Sequence, residues 1–543
     1  MKCLFSFFAI ILMSNFSFGQ SNSENPKLVI GIVVDQMRYD YLTRFENRFG
    51  EGGFKRMMNE GFNCKNNHFN YVPTYTGPGH ASIYTGTTPK YHGIISNNWY
   101  DKVVKKTVYC SGDDSVASVG TESTAGQMSP YRMKTTSFAD ENRLFTQMRG
   151  KTIGISLKDR GAILPAGHSA NGAYWFQGKL EGHFITSTHY MTELPNWVKT
   201  YNEGGNVSKY MKEWNTLYDI EGYEESGDDV NGFEGGFKGK ETASFPYDLK
   251  ALSAENGGFD ILRSTPYGNS IVADFAIAAI DGENLGKDNI TDVLAVSFSS
   301  TDYIGHNFGA NSKEIQDTYL RLDQDLKRLF DALDSKVGKG QYTVFLTADH
   351  GAVHVPAYLQ SAKIPAAYVN TNADKQRLNN FMFNTFKSIE LIENVSNNQI
   401  FLNHEKLKEM NLKLSEVQNA IVNEIITYES VDKAYSGSVF STTNFTTGIE
   451  ELLQSGFNQK RSGDIVFVYN PATISYSKTG STHGSGLNYD THIPLLFFGK
   501  GINKGSSYQK TRIIDIAPTI SSLLGISFPN GNTGNPIEMV LKN

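Results

Sequence analysis

The chain has 543 residues, of which 39% are hydrophobic, 12% aromatic and 20% charged. That is too apolar and aromatic for a disordered protein, and at roughly 150 residues per domain the length suggests three or four domains. Fifty Lys and Arg against 56 Asp and Glu leave a net charge of −6 with no basic block, which excludes nucleic acid as a dedicated partner.

Lys2, the apolar run Leu4–Met13 and the small residues around Ser17-Phe18-Gly19 read as a secretory signal peptide over residues 1–19. The run is well short of the ~20 residues a membrane span needs, and no later stretch is long and pure enough. The sequence therefore predicts an exported protein, periplasmic or secreted, with no transmembrane segment. Cys3 leaves with the signal. Cys64 and Cys110 are compatible with one disulfide or with two buried thiols.

Lys27–Val34 is a continuous β-branched run ending at Asp35, the pattern of a strand buried on both faces of a parallel sheet. Similar runs recur at Asp292–Phe298, Thr343–Thr347 and Ile493–Phe498. Between them, Lys313–Leu333 carries Ile315, Tyr319, Leu322, Leu326, Leu329 and Leu333 at helical spacing. Strands alternating with helices predict an α/β fold with a doubly wound, mostly parallel central sheet flanked by helices. Residues of about 200–255 are acidic, Gly-rich and Tyr-rich and read as an irregular surface insertion; the irregular cap is placed at about 166–255. A second insertion, a small α+β unit, is placed at about 366–480, with a strand near Gln399–Leu402 and a capping box of Ser415 and Gln418 before Val417, Ile421 and Ile425.

Chemistry in such sheets collects at the carboxyl ends of strands. Asp35 and Asp349 follow predicted strands, and Asp302 and His306 lie four apart between a strand and a helix. His350 adjoins Asp349, and His483 sits in the Gly-rich Ser481-Thr-His-Gly-Ser-Gly486. Three carboxylates and three imidazoles suit Zn²⁺ better than Ca²⁺ or Mg²⁺, which favour shells of oxygen alone. In Pro73-Thr-Tyr-Thr76-Gly-Pro-Gly-His80, Pro78 fits the first turn of a helix. Thr76 then stands at its positive end, either as a nucleophile beside a bound anion or as a plain cap.

This ordered set, Asp35, Thr76, Asp302/His306, Asp349-His350 and His483, resembles the two-zinc members of the alkaline phosphatase superfamily. Tyr75-Thr-Gly-Pro-Gly-His-Ala-Ser-Ile-Tyr-Thr-Gly86 and Asp515-Ile-Ala-Pro-Thr519 are similar to its type I phosphodiesterase/nucleotide pyrophosphatase branch. The resemblance covers nearly all of residues 20–543, which implies one alkaline-phosphatase-like α/β domain carrying inserted cap regions. It implies two Zn²⁺, one held by Asp302, His306 and His483, the other by Asp35, Asp349, His350 and the Thr76 oxygen. Asn97, with Asn98 as the neighbouring ambiguity, matches the amide that binds a phosphoryl oxygen. Lys158 and Arg160, read as lying on one side of an extended segment after the strand Thr152–Ser156, match the Lys-x-Arg of the large periplasmic PafA-like alkaline phosphatases. Two fixed cations suit a dianionic monoester.

The implied activity is that of an alkaline phosphatase acting on small phosphomonoesters through a phosphothreonine at Thr76, with a monomer as the default state. A phosphodiesterase of the same superfamily and an exported phosphoester-binding pseudoenzyme are the alternatives. A sulfatase is disfavoured because the Thr76 segment lacks a Cys-x-Pro-x-Arg or Ser-x-Pro-x-Arg motif.

Overall fold

A computed structural model describes residues 25–542; the signal-peptide expectation for residues 1–19 lies outside the described residues. Five strands, β1 (Leu28–Val34), β2 (Thr152–Ser156), β3 (Gly172–Gln177), β4 (Asp292–Phe298) and β5 (Tyr342–Thr347), run parallel in the spatial order β5-β1-β4-β2-β3. They form the centre of a ten-stranded sheet. Every residue of β1, β4 and β5 is buried, as it must be when helices cover both faces. The register sets Val34 beside Phe298, Val33 beside Thr347, and Ser297 beside Ser156, so four strands finish nearly level at one edge.

The run predicted at Ile493–Phe498 forms β6 (Leu495–Gly499), which pairs with β5 antiparallel rather than parallel. The chain reaches β6 from the His483 loop at the carboxyl edge through only a short turn of helix, Asn488–Thr491. Without a crossover it must run back the other way.

Five helices matter for the site: α1 (Thr76–Thr85), α2 (Asp159–Ala166), α3 (Pro266–Gly282), α4 (Ser300–Phe308) and α5 (Lys313–Leu333). On α5 all six predicted apolar positions are buried, and Ser312 caps the helix by accepting from the Ile315 amide. Helix α1 is buried along its whole length. It packs on β1 where Gly31 leaves room: a Cβ there would lie 2.1 Å from the Tyr84 hydroxyl and 2.5 Å from Phe345 Cζ.

One hydrophobic core extends from Leu28 to Val540. The stretch 200–255 is irregular, but it is not merely a surface feature. Trp214, Tyr223, Phe237 and Tyr247 are buried in that same core, and the Trp214 indole and Tyr223 hydroxyl both donate to Asp317 on α5. Isolated aromatics lack the periodicity that marks a core element in sequence. Within 366–480, strands Ile392–Ser396, Gln399–Leu402, Ile465–Tyr469 and Val431–Ser436 make a four-stranded antiparallel sheet. Its separate core includes Val417, Ile421 and Ile425. The expected capping box is absent: the helix Leu414–Ile425 starts one residue earlier than Ser415, with Lys413 at its N-cap and no side-chain cap.

Two consequences can be measured. Gly31→Ala should lower the unfolding free energy by about 1–3 kcal/mol through overpacking, read as a lower urea midpoint with an unchanged slope. The second concerns Glu314, whose Oε1 accepts from Tyr247 at 2.5 Å, and Glu234, whose Oε1 accepts from Asn231 at 2.7 Å. The second oxygen of each carboxyl is buried and accepts no hydrogen bond. Burial, and then the Glu314 charge, push Glu234 up to about 9. Burial, against the Tyr247 bond, pushes Glu314 up to about 8, with Asp229 and Asp317 adding. Both folded values are raised, so the stabilising contribution is complete below the unfolded pKa of ~4.3 and is lost as pH rises through 8 and 9. The melting temperature of the wild type should therefore fall more steeply between neutral and alkaline pH than that of Glu234→Gln/Glu314→Gln.

Candidate metal centre and nucleophile

The level strand ends bring the acids together. Asp35 follows β1 and Asp349 lies just beyond β5. Asp302 sits in the first turn of α4, so the structure moves it and His306 from the expected strand–helix junction onto the helix itself, four residues apart on one face. All three carboxylates are at least 95% buried. The Lys158 ammonium lies between two of them, 2.6 Å from Asp35 Oδ2 and 2.5 Å from Asp302 Oδ2.

Each imidazole is oriented by a backbone carbonyl. Nδ1 of His306 pairs with Ser481 O at 2.7 Å, that of His483 with Thr74 O at 2.7 Å, and that of His350 with Gly351 O at 3.0 Å. All three therefore turn Nε2 toward the acids: His306 Nε2 is 3.1 Å from Asp302 Oδ1, His483 Nε2 3.7 Å from the same atom, and His350 Nε2 3.5 Å from Asp35 Oδ1. An imidazole whose Nδ1–H is tied to a carbonyl presents a lone pair at Nε2, the state a metal ligand needs.

Electrostatics point the same way. Burial, then the charges of Asp302 and Asp349, raise the Asp35 carboxyl well above its ordinary value. Burial works against Asp302, yet His306 and Lys158 hold it well below the usual range. Burial, then the His350 and His306 charges, push His483 far down, and burial lowers His350. Three buried carboxylates against one ammonium are short of positive charge. Moreover, Asp35 Oδ1 and Asp349 Oδ2 are buried with no hydrogen-bond partner. These donors fit divalent cations.

Ligand atoms of Asp302, His306 and His483 converge within 4.8 Å of one another, and so do those of Asp35, Asp302 and His350. Asp349 stands beside the second group, 3.6 Å from His350 Nε2.

Thr76 opens α1, with Tyr75 in the N-cap position, so Thr76 is not a cap; its Oγ1 is 3.5 Å from His350 Nε2. The helix can press this close because of Gly79, where a Cβ would meet Asp349 O at 2.4 Å. The Gly77 amide donates to Asn97 Oδ1 at 2.7 Å. Asn98 instead begins the strand Asn98–Asp101 and is exposed.

The Lys158 neighbourhood departs from the extended segment expected of it. Lys158 has extended backbone, but α2 starts at Asp159, so Arg160 belongs to a helical first turn. Asp159 favours that start because a carboxylate complements the helix N-terminus. Arg160 Nη1 donates to the Tyr109 hydroxyl at 3.1 Å, and its Nε is buried without a partner. Cys64 and Cys110 are both buried free thiols.

Two residues went unread in the sequence. His80 bonds Thr76 O through Nδ1 at 2.9 Å and Ser297 Oγ through Nε2 at 2.9 Å, with Asp349 Oδ2 3.3 Å from Nδ1. It lies four residues after Thr76, the spacing of one helix face, and that was its legible signal. Gln36, at φ 63°, donates its amide N–H to Asp349 Oδ1 and its side-chain Nε2 to Asp302 Oδ1.

Comparison with known proteins gives a consistent neighbourhood. The model of the family described as type I phosphodiesterase / nucleotide pyrophosphatase matches residues 29–492. Alkaline phosphatase PafA of Elizabethkingia meningoseptica is 46% identical, with 95% of this chain and 94% of the relative covered. A Myroides odoratus protein named calcium-transporting ATPase is 44% identical over 100% of this chain and 98% of its own. A crystal structure of alkaline phosphatase PafA superimposes with a TM-score of 0.92 at 45% identity, covering 95% of this chain and 99% of that one. Among the described residues, no helix is long and apolar enough to cross a membrane.

Because Asp302 belongs to both converging groups, Asp302→Asn should strip bound metal more completely than His306→Ala, which touches one group. Elemental analysis of the purified proteins reads this directly, and equal metal content in the two variants would contradict the shared position.

Proposed function

The chain belongs to the type I phosphodiesterase / nucleotide pyrophosphatase family, and on that premise we propose that it is an exported two-zinc alkaline phosphatase that hydrolyses phosphate monoesters through a phosphothreonine at Thr76. What carries this reading is the placement of the Thr76 hydroxyl at the start of a buried helix, beside the cluster of three carboxylates and three imidazoles. Alkaline phosphatase relatives at 44–46% identity over 95% of the chain support the monoesterase.

In this reading Asp302, His306 and His483 would hold one Zn²⁺, and Asp35, Asp349 and His350, with the Thr76 oxygen, would hold the other; Asp302 also converges with Asp35 and His350, so its loss touches both sites. When bound, the two ions supply positive charge at the attacking and leaving oxygens. The phosphoryl group settles at the N-terminus of α1, where the helix dipole favours an anion. Asn97 already spends its acceptor on the Gly77 amide, so its Nδ2 end is the donor for a nonbridging oxygen. Lys158 and Arg160 add fixed positive charge, which stabilises a dianionic monoester more than a singly charged diester. Thr76 Oγ1 attacks phosphorus in line as the bond to the leaving alcohol breaks. Water then cleaves the phosphothreonine, releasing inorganic phosphate and restoring Thr76.

The family description also fits a diesterase, and the cations separate the two readings. Arg160→Ala should lower monoester kcat/KM by roughly 10²–10³-fold and diester turnover much less. A wild-type enzyme that turns over diesters faster than monoesters would reverse the assignment. Two successive in-line displacements should leave the configuration of chiral phosphate retained; inversion would eliminate the Thr76 intermediate while leaving the metal ligands untouched.

A further inference from the structure

The four-stranded sheet within 366–480 reaches the site through one turn. Strands Ile392–Ser396 and Gln399–Leu402 pair with Ser396 opposite Gln399, which leaves Asn397 and Asn398 as a two-residue hairpin loop. Both have positive φ, 53° and 56°, the type I′ geometry for which Asn and Gly are the favoured residues. The turn alone accounts for an Asn at either place. It does not account for what the Asn397 side chain does: Oδ1 accepts from Ser96 Oγ at 3.1 Å, and Nδ2 donates to Asn98 O at 2.7 Å.

Those partners flank Asn97 on either side. Asn97 is joined in turn to the Gly77 amide beside Thr76, and its carbonyl accepts from the Cys110 amide at 2.9 Å. Hydrogen bonds at either end of the short segment Ser96-Asn97-Asn98 thus link the hairpin turn to the start of α1. The strand that follows is anchored to the same sheet elsewhere, through the Tyr100 hydroxyl on Glu393 and the Tyr100 ring edge-on to Phe401. Among the described residues, Asn397 alone bridges the two neighbours of Asn97. It also lines, with Tyr75, the clefts of about 130 and 370 Å³ between this sheet and the main core.

We propose that Asn397 is a positioning residue: its side chain clamps Ser96 and Asn98 so that the Asn97 amide between them is held in place for the phosphoryl oxygen. The inference rests on the role given to Asn97 above. It makes the small sheet a structural support of the active site as well as a wall of the cleft.

Glycine separates the clamp from the turn, because Asn397→Gly keeps the positive φ and deletes both side-chain bonds. Asn398→Gly makes the same backbone change and leaves the clamp intact. With 4-nitrophenyl phosphate as probe, Asn397→Gly should lower kcat/KM about tenfold and Asn398→Gly less than about twofold, since misplacing a binding group costs rate even when the fold is kept. In an Asn97→Ala background, Asn397→Gly should cost nothing further, because a residue acting through Asn97 has nothing left to position. An undiminished loss in that background, or no loss in the wild-type background, overturns the proposal. If Asn97→Ala itself is as active as wild type, the assignment of Asn97 fails and the proposal falls with it; a large Asn97→Ala effect with an additive Asn397→Gly effect condemns the clamp alone.

Discussion

Three carboxylates buried within a few ångströms of one another repel, and a folded chain retains such an arrangement only where positive charge compensates it. Asp35, Asp302 and Asp349 share one ammonium, that of Lys158, which contacts two of them. The surrounding architecture serves this constraint. Parallel strands finish level, so their following residues meet at one edge. Carbonyls of Ser481, Thr74 and Gly351 fix three imidazole tautomers with Nε2 directed inward. The acidic overall balance is thus partly a property of the site, whose carboxylates and imidazoles fit divalent cations.

In the proposed reading the same edge receives an anion. Helix α1 enters with its N-terminus at the acid cluster, and Gly79 permits the approach by omitting a side chain that would strike Asp349. His80, bonded to the Thr76 carbonyl and to Ser297, ties that helix to β4 from behind. Asn97 holds the first turn in front. Thr76 is therefore held from both sides, by His80 from behind and by Asn97 in front, the preorganisation that phosphoryl transfer depends on.

Much of this was legible because it is local. β-branched runs buried on both faces marked β1 and β4 at nearly their observed bounds, and the 3.6-residue period marked α5 throughout. Pro78 and the small residues around it marked α1. What escaped depended on contacts far along the chain. Arg160 looked extended because two residues after a strand carry no periodicity, yet α2 begins there. The direction of β6 is set by where the His483 loop leaves the chain, and the aromatics of 200–255 are core residues only because α5 lies beneath them. Gln36 gave no sign at all: its role comes from a left-handed backbone that aims its amide and side chain at two acids more than 260 positions away.

The sequence by itself determined the fold class and the order of chemically able residues, because strand burial, helical period and residue type are written within a few positions of one another. Tertiary structure alone decided which of those residues converge, that Asp302 stands in both converging groups, and that a hairpin turn some three hundred positions away bonds the two neighbours of Asn97. Such facts are distances between segments remote in the chain, and only the packing of the sheet sets them.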